Sequence, residues 1–278
     1  MLRILILSIT IVFLFHFDII AQEDTTLRND SQWIGLSFIN AQSEIFSSPF
    51  SIKKNDLKYL IPITAATTLA IMYDEDINRN IIKFKNENSL INKLSPVFTF
   101  GGEIPFVAGT SGLMYFTGLA LKDDKLLQTG AIAAFALINS AVVISVLKMT
   151  FGRQRPNFDG TSKWHFFPES LKQFDGEKSE KYTSFPSGHS IAAWTLASVV
   201  SEQYKEIRYI PIIAYTFATG VSLSRMTENA HWLSDVIIGS ALGYGIGKFT
   251  AKKHKNTSWY LFPSENGGKL TITGIYRF

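Results

Sequence analysis

At 278 residues and 46% hydrophobic content, the chain is large enough for one domain with a substantial core, and it shows neither internal repeats nor low-complexity stretches. A formal net charge of +4 comes from dispersed basic residues, which argues for solubility and anion attraction and against a nucleic-acid surface. The absence of cysteine excludes a disulfide framework, and no dinucleotide fingerprint or P-loop pattern is present.

Met1-Leu2-Arg3, the apolar run Ile4 to Phe15, and Ala21 before Gln22-Glu23-Asp24 predict a secretory signal over residues 1–21. Ile19 stands where a small residue is usual, so an uncleaved anchor is the alternative; both readings export the domain behind the segment. Residues 22–56 are polar and irregular, with a short helix or strand over Trp33 to Phe38. Apolar segments then recur at Leu57–Tyr73, Ile104–Leu121, Thr129–Leu147, Ile191–Val200, Tyr209–Leu223 and Trp232–Gly247, predicting six helices in one domain over residues 57–250. Between the third and fourth lies a loop, Thr150 to Phe185, with Trp164, Phe166 and Phe167. A loop that long is expected either to cap a site or to be a solvated insertion. Residues 251–278 read as a tail with a β-hairpin, Trp259–Phe262 against Leu270–Phe278. The fold class expected is therefore all-α: a helical bundle of about six core helices, plus a short C-terminal hairpin.

Three stretches carry groups suited to phosphate chemistry: Lys148–Pro156 (KMTFGRQRP), Pro186–His189 (PSGH) and Ser224–Asp235 (SRMTENAHWLSD). His231 and Asp235 are four apart, so on a helix the carboxylate takes a hydrogen bond from one imidazole nitrogen and leaves the other lone pair free to attack. Ser187, Gly188 and His189 stand at a predicted helix start, where unpaired backbone N–H groups favour anions and Gly188 permits close approach. Lys148, Arg155 and Arg225 add positive charge, and an arginine fork grips two phosphate oxygens at once. Each stretch alone has a bland reading: an ordinary helix-starting turn, a structural i, i+4 pair, or, for Lys148, Arg153 and Arg155, the solvated end of an apolar helix. Their conjunction in one chain argues against those readings. In an up-down bundle the termini carrying these residues meet at one end.

The three blocks together resemble the type 2 phosphatidic acid phosphatase superfamily, which includes bacterial acid phosphatases and vanadium haloperoxidases. Lys, six residues, Arg-Pro; Pro-Ser-Gly-His; and Ser-Arg, five residues, His, three residues, Asp are all present without a departure. The resemblance implies that His231 is the nucleophile and forms a phosphohistidine, that Asp235 orients it, and that His189 protonates the leaving oxygen. It also implies that Lys148, Arg155, Ser187, Gly188 and Arg225 hold the phosphate oxygens. The implied activity is hydrolysis of phosphate monoesters or pyrophosphates, most readily of lipids, with no metal and no cofactor. Three cations and a helix terminus supply the charge stabilisation that a metal supplies elsewhere. His16, His165 and His254 are scattered and read as incidental. A soluble periplasmic acid phosphatase of broad specificity is the rival reading, followed by a vanadium-dependent haloperoxidase and a binding protein with a vestigial site.

The expected partners are a phosphorylated substrate and a membrane surface, with no nucleic acid. Thr129–Leu147 approaches spanning length most clearly, whereas the last three segments fall short of the roughly 20 residues a span requires. With mean hydropathy of only +0.12, the expectation is a periplasm-facing envelope protein, peripheral or soluble in preference to integral.

Overall fold

A computed structural model describes residues 34–48, 52–167, 170 and 181–253, with backbone alone for 34–39, 258–266 and 269–277. The expected signal therefore lies outside the described residues. The elements run α1 (Ile34–Ser47), α2 (Leu57–Glu87), α3 (Ser89–Phe100), α4 (Ile104–Leu121), α5 (Asp124–Thr150), β1 (Phe151–Arg153), a single turn α6 (Pro156–Asp159), β2 (Trp164–Phe166), α7 (Gly188–Gln203), α8 (Tyr209–Thr227), α9 (Leu233–Lys253), β3 (Ser258–Asn266) and β4 (Lys269–Arg277). The fold is helical, as expected, and all six predicted helices are present.

The differences from expectation have physical reasons. Trp33–Phe38 falls largely on α1, which continues to Ser47 and is tied to the bundle by Gln42 Nε2 donating to Asn139 Oδ1 at 2.6 Å. The helix predicted to end at Tyr73 runs on to Glu87, because the polar half of α2 packs Asp74 and Asn78 inward. α3 lacks a long apolar run, so the sequence pattern does not predict it. Extended backbone at Asn88 separates it from α2.

α7 is the central helix, packed against α9, α8 and α5. Its contact with α9 is close because Gly239, Gly243 and Gly247 recur every fourth residue on the facing side. A Cβ at those positions would stand 2.8 Å from Ser187 O, 2.4 Å from Ile191 O and 2.5 Å from Thr195 O. Backbones that approach this closely require small residues. α4 and α5 are joined through Lys122, in the left-handed region at φ 56°, and Asp123, whose carboxylate accepts from Leu126 N at 3.0 Å. So short a connection makes the two helices antiparallel neighbours.

The described residues of the long loop include two short strands and a helical turn. β1 and β2 pair antiparallel, with Gly152 opposite His165 and Arg153 opposite Trp164. Phe166 and Phe167 are exposed, whereas Trp164 stacks on Phe166 and packs against Phe185. The C-terminal hairpin is present in backbone, with Trp259 opposite Tyr276 and Phe262 opposite Thr273.

Candidate active site

The strap Thr183–Ser187, which leads into α7, gathers the three predicted blocks. Lys148, in the last turn of α5, donates through Nζ to Thr183 O. Arg155 follows β1 and donates from Nη2 to Thr183 Oγ1 at 3.0 Å. Ser184 Oγ donates to Asp235 Oδ2 at 2.6 Å, and Ser187 N donates to Asp235 O at 3.2 Å. From the far side, Arg225 O accepts from His231 N at 3.2 Å, which ties the end of α8 to the start of α9. Lys148, Arg155, Ser187, Gly188, His189, Arg225, His231 and Asp235 thus surround the N-terminus of α7.

Ser187 is the N-cap of α7 and accepts from Ser190 Oγ at 3.0 Å, and Ile191 N is bonded to Ser187 O. A Cβ at Gly188 would meet nothing within 4 Å, so the helix start faces open space. Such an end presents N–H groups and a partial positive charge to an anion. On the opposite side Gly102 lies against His189, where a Cβ would come within 2.8 Å of the histidine Cβ. Arg225 is buried, donates from Nη1 to Thr99 Oγ1 at 3.2 Å, and keeps Nε without a partner among the described residues. Burial and then the neighbouring Arg155 draw its pKa down to about 10, so it is still a cation at neutral pH.

His231 is buried, and its Nδ1 lies 2.6 Å from Ser184 O. A carbonyl only accepts, so Nδ1 carries the proton and Nε2 keeps its lone pair. The expected hydrogen bond to Asp235 is not formed, because Asp235 Oδ2 stands 3.8 Å from Nδ1. His231 precedes α9 by two residues, so helical i, i+4 geometry does not apply, and Asp235 instead caps the helix by accepting from Trp232 N at 3.0 Å. Its effect on the imidazole is that of a nearby negative charge. Burial foremost, then Arg155 and Lys148, hold His231 down at about 3 against the opposing pull of Asp235. His189 is also held at about 3, by burial and then by Arg225, Arg155 and Lys148. Both rings are therefore neutral in the unliganded site at pH 7. Burial pushes the Asp235 carboxyl upward, but Arg153, then His231 and Ser184, outweigh it and the group is lowered overall.

Arg153 departs furthest from its sequence reading. It is fully buried, between the rings of Trp164 (4.6 Å) and Trp232 (5.4 Å), and Nη1 donates to Asp235 Oδ1 at 2.6 Å. The bland reading of Arg153 as part of a solvated helix end is ruled out. Asp74, equally buried, accepts from Arg153 Nη2 at 2.7 Å, and no motif in the sequence singles it out.

Residues 129–259, which hold all three blocks, match the PAP2 superfamily. The chain carries a PAP2 superfamily domain. It is 27% identical over 197 residues to a lipid A 1-phosphatase of Porphyromonas gingivalis, a match covering 70% of this chain and 38% of that one. A lipid A 1-phosphatase of Rhizobium johnstonii is 29% identical over 175 residues, covering 58% of this chain and 67% of the relative. The crystal structure of a transmembrane PAP2 type phosphatidylglycerolphosphate phosphatase from Bacillus subtilis superposes with a TM-score of 0.50 at 20% identity, over 77% of this chain and 96% of that one. That likeness supports the PAP2 fold. The chain spans well under half the length of the Porphyromonas relative it matches.

Proposed function

We propose that this PAP2 domain is a metal-independent phosphatase that hydrolyses lipid phosphate monoesters or pyrophosphates through a phosphohistidine at His231. The observation that carries the reading is the pairing of a neutral buried His231, its Nδ1–H spent on Ser184 O, with three cations around an open helix N-terminus. Nε2 attacks phosphorus along the line opposite the leaving oxygen. Lys148, Arg155, Arg225 and the backbone at Ser187–Gly188 hold the equatorial oxygens, and their charge matches what develops in the transition state. His189 starts neutral, and a bound phosphate dianion offsets the three cations that depress it. It can then take a proton and hand it to the leaving oxygen. Water on the same side, deprotonated by His189, cleaves the phosphohistidine.

The lipid preference rests on the surface. α4 and α5 are long and apolar enough to cross a membrane, and large apolar side chains stand out along α2, α4 and α8, including Ile104 at 78% and Leu113 at 68% exposed. A lipid headgroup lies at bilayer ends, and so does a site built from the C-terminus of α5 and the N-terminus of α4. Relatives named lipid A 1-phosphatases agree with a lipid phosphate. We place the site on the periplasmic face of the envelope.

The test is phosphate release in EDTA by the detergent-solubilised protein, with phosphatidic acid and an isoprenyl pyrophosphate set against p-nitrophenyl phosphate. Expected is a preference for the lipids that is lost in His231→Ala, with intact cells hydrolysing added substrate. Preference for the small ester would instead favour the soluble acid phosphatase. Activity surviving in His231→Ala would remove the nucleophile.

A further inference from the structure

Arg153 sits among the cations of the first block, yet all its donors are spent within the protein. A guanidinium has five N–H bonds. Nε donates to Ser162 Oγ at 3.1 Å; Nη1 donates to Ser234 Oγ and Asp235 Oδ1, both at 2.6 Å; Nη2 donates to Asp74 Oδ2 and Ser162 Oγ, both at 2.7 Å. No donor is left for a phosphate. Asp74 reaches this point from the middle of α2, outside the PAP2 match, and is itself fixed by Ser234. Its Oδ1 accepts from Ser234 N at 3.1 Å and its Oδ2 from Ser234 Oγ. The side chains of Asp74, Arg153 and Asp235 are all fully buried.

The charge balance of this unit matters for the neighbouring imidazole. A lone Arg153–Asp235 pair would be neutral and would cancel most of the carboxylate's field at His231. With Asp74 sharing the guanidinium, two carboxylates face one cation and the unit keeps a net negative charge, with Asp235 Oδ2 at 3.8 Å from His231 Nδ1. Bond formation at Nε2 makes the imidazole positive, and a preorganised negative charge beside Nδ1 favours that change without reorganisation.

We infer that Asp74 and Arg153 are positioning residues. They fix Asp235 and leave the buried triad net negative against His231, while taking no part in holding the phosphate. This inference rests on His231 being the nucleophile, as proposed above.

The test compares Asp74→Asn and Arg153→Lys with wild type on p-nitrophenyl phosphate, measuring kcat, KM and the inhibition constant of orthophosphate, with each variant's folded fraction counted by thermal melting. Per folded molecule, both variants should lose about 10–100-fold in kcat, the scale of losing an outer partner of an active group, while KM and phosphate inhibition stay within about threefold. Lysine carries one compact ammonium and cannot bridge two carboxylates as the guanidinium fork does. Should Asp74→Asn fail to fold, Arg153→Lys decides by the same split. Wild-type kcat in the folded variants would overturn the inference, and so would a raised KM and weakened phosphate inhibition with kcat retained, since Arg153 would then be a phosphate ligand. Wild-type turnover separates the two readings. Its absence would remove the proposed function, whereas its presence with unaffected variants would remove the positioning unit alone.

Discussion

Two histidines held neutral by burial and by surrounding cations set the chemistry at the residue scale. In the proposed mechanism His231 must be unprotonated to attack, and its folded value of about 3 keeps it so across the physiological range. Both His231 and His189 lie below the ordinary value of 6.5, so between about 3 and 6.5 the unfolded chain binds more protons than the folded one. Their contribution to stability is therefore fully present above pH 6.5 and is lost as pH falls towards 3. Imidazole NMR on the five histidines should show both rings neutral at pH 6 in the unliganded protein, and orthophosphate should raise the titration of His189 by offsetting Arg225, Arg155 and Lys148. A His189 that titrates near 6.5 without ligand, or is unmoved by phosphate, would contradict this balance. The sequence shows the type and spacing of these residues but not which acceptor Nδ1 finds. That acceptor is the backbone carbonyl of Ser184, and no side-chain pattern announces it.

Among the elements, the α7–α9 contact decides whether the site is assembled, because α7 carries Ser187–His189 and α9 carries Asp235. Gly243→Ala would drive a Cβ to 2.4 Å from Ile191 O, a backbone atom that cannot rotate aside. Overpacking of this kind costs about 1–3 kcal/mol, so the melting temperature should fall together with activity. Gly245, two residues away, has nothing within 4 Å of a built Cβ, so Gly245→Ala should stabilise the helix by about 0.5–1 kcal/mol. Equal melting temperatures for the two variants would argue against close packing here. The six apolar helices are legible because their runs are long. α3 and the second half of α2 are not, because α3 has only 12 residues with Pro96 inside it, and the second half of α2 buries Asp74 and Asn78 in place of apolar side chains. For the same reason the pattern passes over Asp74 and gives Arg153 no role of its own. A buried ion network looks, in sequence, like a charged surface.

At the scale of the whole molecule, the site lies at one end of a bundle whose flanks are apolar. α2 starts at Leu57 and reaches the site at Asp74, 17 residues on, or about 26 Å at the usual helical rise. That distance approaches the thickness of a bilayer core, about 30 Å. In an embedded bundle, residues 52–56 and the site therefore face opposite sides of the membrane, so the proposed periplasmic site requires residues 52–56 to stay on the cytoplasmic side, against the expected export of residues 22–56. The low overall hydropathy that favours a soluble or peripheral bundle averages an apolar outer surface with a polar interior. Asp74, Asn139, Arg153 and Asp235 are buried, whereas Ile104, Leu113 and Phe116 are exposed. That inversion suits a protein whose outer solvent is lipid. On the proposed function, such a setting presents a lipid phosphate to Lys148, Arg155 and Arg225 at the depth where headgroups lie.

The proposed phosphohistidine at His231 is a covalent intermediate that rapid quenching can trap. Protein in lipid nanodiscs would be mixed with phosphatidic acid carrying a radiolabelled phosphate, in EDTA, and quenched on the millisecond scale. Expected is protein-bound label that is stable to base and labile to acid, located at His231 and absent in His231→Ala. Release of phosphate with no such label, or label on another residue, would contradict that intermediate.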